Sequence, residues 1–250
     1  MSFNLANVFL PEFLLIEMTS RCNLRCRYCQ KADDAWNAIP GRDQDLPPDI
    51  KVKIGETLAE IPFGMIQLTG VGEFTYRDDW VQSLRELTAY SRPVALISNF
   101  AKIFDKEELD ALLTLRHLMV SVDTTDPAVL RSVRKAVSFS TINLNLVRLR
   151  MRAKQRGVPL PFIKINAVLY RENLTTIEEV AYFAIEHRVN EMQFERMYSR
   201  LEPPTDIASA TPAEAAEGLR QLQAASLALK REGIASSLHG DLVQTLEGIA

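Results

Sequence analysis

The 250-residue chain predicts an α/β fold built on a parallel sheet, and three observations carry that expectation. Short, nearly continuous apolar runs alternate six times with longer segments of helical spacing, the pattern of strands joined by crossover helices. Capping signals open several of those helical segments. Within each apolar run the polar residues share one parity, so they point to one face of the sheet.

Phe13 to Met18 reads as the first strand, buried on both sides, and it leads into a loop holding all three cysteines, Cys22, Cys26 and Cys29. Residues 31 to 48 are polar, carry Pro40-Gly41 and Pro47-Pro48, and read as an exposed excursion. A helix follows from Asp49 to about Glu60. Met65 to Thr69 is the second strand, ending at Gly70-Val71-Gly72-Glu73, and the spacing of Trp80, Leu84 and Leu87 predicts a helix over 78–90. Val94 to Asn99 is the third strand, and Asp105 with Glu108 forms a capping box for its helix.

Leu118 to Asp123 is the fourth strand, and Asp126-Pro127 opens a helical region. Residues 141–156 partly alternate, but their length and the cations Arg148 to Arg156 before Gly157 favour a helix. Phe162 to Leu169 is the fifth strand, and Thr175 with Glu178 caps a helix running to His187. Glu191 to Tyr198 is the sixth. Beyond Pro203-Pro204, Thr211-Pro212-Ala213-Glu214 combines a capping box with proline at the first helical position. The tail from Ile234 adds one short strand and helix.

Three thiols in eight residues, spaced three and then two apart, turn toward one point if the loop curls around a metal. A tetrahedral zinc site needs a fourth ligand, for which no histidine is at hand; a partial zinc knuckle and a redox motif stay open as readings of the spacing. An iron–sulfur cubane is normally held by four thiolates, so three would leave one iron free for another ligand.

The Cys22-Asn23-Leu24-Arg25-Cys26-Arg27-Tyr28-Cys29 motif, with an aromatic before the last cysteine, resembles the signature of the radical S-adenosylmethionine (SAM) superfamily. The lead-in Glu17 to Leu24 is similar to its peptide-maturing, SPASM-type branch. The resemblance implies a partial (β/α)6 barrel over residues 1–232, with the cluster loop at 19–31 after the first strand and a short extension over 233–250 packed on the barrel. It implies a 4Fe–4S cluster on Cys22, Cys26 and Cys29, with SAM chelating the open iron and yielding a 5′-deoxyadenosyl radical on reduction.

By the same resemblance Gly70, Gly72 and Glu73 meet the methionyl amino group, with Val71 and Phe74 departing from the family's usual glycine and proline. Ser98, Asn99, Ser121 and Asp123 occupy places that contact ribose hydroxyls and methionyl carboxylate, roles suited to strong acceptors and hydroxyls. Tyr28 lies against adenine, Val168-Leu169 forms an apolar wall, and Asn166 reaches the ribose or carboxylate.

Glu17, Gln67, Ser121, Asp123, Lys164, Asn166, Gln193 and Glu195 all fall inside predicted strands, which argues for a polar lumen; a structural ion pair of Lys164 with Glu17 or Glu195 is the plainer alternative. Lys164, Gln193 and Glu195 are the candidate substrate-facing residues, with Arg196, Tyr198 and Tyr170 at strand ends. With no cysteine beyond the three, these residues build no auxiliary cluster and supply no cysteine hydrogen donor.

A net charge of −3 gives no electrostatic case for nucleic acid. No window approaches the ~20 apolar residues of a membrane span, and no signal peptide is evident, so a cytoplasmic protein is expected. The function expected is hydrogen abstraction from a small polar metabolite, followed by rearrangement, elimination, decarboxylation or oxidation. Modification of a ribosomally made peptide, suggested by the SPASM-like lead-in, and a SAM- or cluster-binding regulator without turnover are the alternatives; a two-cluster oxidative maturase is disfavoured unless the native chain continues past Ala250. A flavodoxin- or ferredoxin-type protein is the expected electron donor.

Overall fold

The computed structural model describes residues 11–61, 63–135, 137–197 and 206–250. Seven parallel strands lie side by side in chain order: β1 (Phe13–Ile16), β2 (Met65–Leu68), β3 (Val94–Ser98), β4 (His117–Ser121), β5 (Phe162–Leu169), β6 (Glu191–Arg196) and β7 (Ala235–His239). Between and after them run α1 (Asp34–Asn37), α2 (Pro48–Glu60), α3 (Trp80–Thr88), α4 (Lys106–Leu112), α5 (Pro127–Arg134), α6 (Phe139–Arg156), α7 (Ile177–Glu186), α8 (Pro212–Arg231) and α9 (Leu242–Ile249).

Sequential strand order with right-handed crossovers collects the helices on one face of the sheet. Alternation then decides which residues meet them. Ile66, Leu68, Leu96, Leu118, Val120, Ile163, Ile165, Met192 and Phe194 face the helices and are essentially inaccessible. Each contributes on the order of 1.5–3 kcal/mol through burial. The opposite parity lines the inner face, including Gln67, Met119, Lys164, Asn166, Gln193 and Glu195, placed side by side by the register Lys164↔Glu191, Asn166↔Gln193 and Val168↔Glu195.

The local signals act as their chemistry dictates. Asp105 with Glu108, and Thr211 with Glu214, form complete capping boxes, and Asp126 accepts from the N–H groups of Ala128 and Val129. Residues 139–156 are helical, closed by Gly157 at φ 65°. Thr175 does not cap α7: the cap is Thr176, whose hydroxyl is engaged with Thr124 instead.

Residues 31–48 are not a loose excursion. Ser20 N–H donates to Gln44 O and Leu46 N–H to Met18 O, while Lys31, nearly inaccessible, pairs with Asp43. The tail contributes a seventh strand, β7, in register with β6, and α9 inserts Leu242 and Leu246 into the main core. Several strands end earlier than their apolar runs: Glu17 and Asp123 lie just past β1 and β4, and Tyr198 and Pro203-Pro204 fall outside the described residues.

Candidate active site

The cysteine loop begins at the C-terminal end of β1 and is fastened on four sides. Its lead-in pairs with residues 44–46 as described, and Arg21 forms an ion pair with Asp45 at 3.1 Å. Glu73 N–H donates to Arg21 O at 2.8 Å, tying the turn after β2 to the loop. Arg27 N–H donates to Val133 O at 2.8 Å, joining it to the end of α5. Tyr28 Oη donates to Asp123 Oδ2 at 2.8 Å, joining it to the end of β4.

The turn after β2 fits only as glycine. A Cβ on Gly72 would stand 2.1 Å from Thr19 O and 2.7 Å from Arg21 O, both backbone atoms. One on Gly70, whose φ is +147°, would stand 2.4 Å from Glu17 Oε1. These glycines are spent on close approach of the turn to the cysteine loop. The Glu73 carboxylate, almost wholly buried, accepts from Thr75 Oγ1 at 2.7 Å, Ser98 Oγ at 2.9 Å and Asn99 N–H at 2.7 Å. It knits β2 to β3, and Ser98 is turned toward it on the helix-side parity. Asn99 instead faces the loop, donating to Asn23 Oδ1 at 2.8 Å with Cys22 Sγ 3.8 Å away.

Asp123 is the hub of the opposite wall. Besides Tyr28 it accepts from Val168 N–H at 3.2 Å, and the buried Arg134 guanidinium lies 3.8 Å from it. Burial lifts the Asp123 carboxyl above its ordinary value, against the pull of Arg134, the Tyr28 hydroxyl and the Val168 N–H. Burial disfavours the Arg134 charge, but Asp123 and Tyr28 outweigh it and hold the guanidinium charged. Arg134 Nη1 donates to Ser121 O at 2.6 Å, and its buried Nε, the atom 3.8 Å from Asp123 Oδ2, makes no hydrogen bond. Tyr28, Tyr170, Val133, Val168 and Met197 form a small apolar cluster beside this hub, with Tyr170 Oη buried and unpartnered.

Burial raises the thiols of Cys22, to about 12, and of Cys26, with the Leu24 N–H and the Arg134 charge respectively opposing it. Protein groups alone therefore leave these sulfurs neutral. Among the described residues no three His, Cys, Asp or Glu side chains converge on one ion, whereas thiolates of a cluster each bind a different iron.

The sequence profile of the radical SAM superfamily matches residues 16–184, from the last residue of β1 through the cysteine loop and into α7. The chain belongs to that superfamily. It is similar to GTP 3′,8-cyclase of Aquifex aeolicus, 30% identical over 165 residues covering 64% of this chain and 48% of the relative. It is also similar to PqqA peptide cyclase of Rhodopseudomonas palustris, 27% identical over 178 residues, covering 70% and 44%. Among solved structures, Streptococcus suis SuiB bound to precursor peptide SuiA superimposes with a TM-score of 0.69 at 17% identity, covering 96% of this chain and 51% of that one. The chain spans about half the length of the curated relatives it matches.

Radical SAM proteins use a 4Fe–4S cluster and SAM, and the donor set here fits both. Three soft thiol ligands on one curled loop, beside the Asn99 amide and the Leu24 N–H 3.4 Å from Cys22 Sγ, suit a cluster with one open iron. When bound, the pair supplies a 5′-deoxyadenosyl radical. Tyr28, Asn99, Ser121 and Asp123, the residues the resemblance offers for SAM, lie on the loop side and inner face, and Asn166 lies on that face beside Glu195.

Other expected contacts are placed differently. Gly70, Gly72, Glu73 and Ser98 are engaged in building the loop's support. Leu169 has the wrong parity for an adenine wall: it is buried in the helix-side core, and Val168 stands beside Tyr28 instead. Lys164 pairs with Glu191 at 2.8 Å, not with Glu17 or Glu195, because the register sets Glu191 directly beside it. Arg196, on the helix-side parity, binds Asp206 at 3.0 Å and Asp241 at 2.6 Å. Arg134 was not singled out from sequence. Its only signal there is a place in the last turn of a helix, where a cation is expected for the helix dipole alone.

Proposed function

We propose that this chain is the radical-generating core of an enzyme that abstracts hydrogen from a side chain or backbone carbon of a peptide. The observation that carries the reading is the charge of the inner face. Glu17, Asp123, Glu191 and Glu195 lie on or just beyond it, and its one lysine, Lys164, is already matched by Glu191. A nucleoside triphosphate, carrying about four negative charges at neutral pH, would meet repulsion there and find no unpaired cation among the described residues of that face. The inner face also exposes apolar side chains, Phe13 at 45% and Leu15 at 56%, beneath the polar residues. A long face of mixed character suits an extended chain better than a small metabolite.

The similarity to PqqA peptide cyclases and to a structure holding a precursor peptide supports this reading. The similarity to GTP 3′,8-cyclase favours the second reading, a small polar metabolite. An anaerobic assay with SAM and dithionite, challenged with a random decapeptide mixture or with GTP, separates them. Peptide-dependent 5′-deoxyadenosine and a mass change in the peptides are expected; stimulation by GTP alone would overturn the peptide reading. Replacing dithionite by reduced flavodoxin or ferredoxin tests the proposed electron donor, which fails if neither supports turnover.

A further inference from the structure

On the inner face, Glu195 of β6 has a carboxylate whose only partners among the described residues are amides. Its Oε2 accepts from Asn166 Nδ2 at 3.1 Å, and its Oε1 accepts from Gln193 Nε2. No cation among the described residues pairs with it, whereas Asp123 has Arg134 and Glu191 has Lys164. Next to it lies a second acceptor. Asn166 is 8% exposed, and its Oδ1 is buried with no hydrogen-bond partner.

A buried carbonyl oxygen left unpaired costs on the order of 1–3 kcal/mol, so its retention beside a half-buried carboxylate calls for a donor from outside the chain. Water could satisfy the carbonyl alone. Two adjacent acceptors, one of them anionic, match a group that carries several N–H donors and a positive charge together. An ammonium offers three donors, and a guanidinium five.

We propose that Glu195 and Asn166 form the docking point for a cationic group of the substrate, of the kind a lysine or arginine side chain carries. The identity of the carrier as a peptide rests on the reading above; the charge of the group rests on this site alone. Gln193, 4% exposed, holds the Glu195 carboxylate in place from below and acts as a positioning residue. The substrate's cation would then be anchored on β5 and β6, within one strand of the Asp123–Tyr28 wall of the SAM site. This fixes where along the substrate the reacting carbon lies relative to the charge.

The test uses the cluster-loaded protein with SAM and three probes: acetyl-Gly-Gly-Lys-Gly-Gly-amide, its norleucine counterpart and cadaverine, followed by calorimetric titration. The lysine peptide is expected to bind about tenfold tighter than the norleucine one, a difference of about 1.4 kcal/mol. Glu195→Gln should erase that ratio and weaken cadaverine equally, while Glu195→Asp retains part of both. Melting midpoints of the variants check that each is folded, and SAM affinity is titrated in parallel.

Equal affinity for the two peptides in the unsubstituted protein overturns the proposal, and leaves the peptide reading intact if either peptide stimulates 5′-deoxyadenosine. Cadaverine binding that depends on Glu195, with no peptide stimulating turnover, upholds the cation site and removes the peptide. A tenfold loss of SAM affinity in Glu195→Gln with unchanged probe binding also overturns it, by assigning the carboxylate to the cofactor.

Discussion

Tyr28 of the cysteine loop donates its hydroxyl hydrogen to Asp123 at the end of β4, a bond of 2.8 Å across 95 residues of chain. It links the loop that holds the thiols to the strand end that carries the buried Asp123–Arg134 pair. Removing the hydroxyl with Tyr28→Phe takes one hydrogen bond from a fully buried carboxylate. A loss of about 1–3 kcal/mol is expected. Denaturant unfolding of the unloaded protein measures it, and an unchanged midpoint would mean that the bond contributes nothing.

Asp123→Asn leaves the Arg134 guanidinium buried without a counter-charge. Breaking one side of such a pair costs about 3–5 kcal/mol, so this variant should be far less stable than Tyr28→Phe. Adding Arg134→Met to Asp123→Asn should recover part of the loss. A double variant no better than the single one would show that the pair is not coupled.

The turn after β2 gives a prediction confined to cluster assembly. Gly72→Ala drives a methyl into two backbone carbonyls of the cysteine loop's lead-in, whereas a methyl on Gly248 meets nothing within 4 Å. After anaerobic reconstitution, Gly72→Ala should hold markedly less iron and sulfide per chain than Gly248→Ala. Equal loading of the two would remove the turn from the list of loop supports.

The buried His187 imidazole, with Nε2 2.7 Å from Asn143 Oδ1, is held below its ordinary pKa, first by burial and then by the Arg150 charge. The unfolded chain therefore takes up the proton before the folded one does. Stability from this group is complete above about pH 6.5 and falls as the pH drops through the lower folded value. His117 shifts in the same direction. Melting midpoints should decline from pH 7 to pH 5.5, and His187→Gln should flatten that decline.

Much of the fold was legible in the sequence because parallel strands covered by helices write themselves as apolar runs, and Phe162–Leu169 matches its run residue for residue. The last residues of other runs, Glu17 and Asp123, leave the sheet because their side chains are needed by the loops above it. The cysteine loop was legible from its spacing, while a role for Tyr28 came only from the family resemblance. Arg134 was not, since its role depends on a contact with Asp123 that only the packing of α5 beneath the cysteine loop creates. The sequence offers Glu17 and Glu195 as partners for Lys164, but the register of β5 against β6 sets neither of them beside it and brings Glu191 there instead. Leu169 shows the cost of a parity error: one residue along a strand exchanges the inner face for the core.

The most direct test of the radical SAM chemistry assigned to the three cysteines is 5′-deoxyadenosine formation by the anaerobically reconstituted protein with SAM and dithionite. The unsubstituted protein should be brown, hold about four irons and release 5′-deoxyadenosine, and Cys22→Ala, Cys26→Ala and Cys29→Ala should each abolish the product. A protein that binds zinc instead of iron and sulfide, or one whose Cys26→Ala variant forms product at the unsubstituted rate, would contradict it.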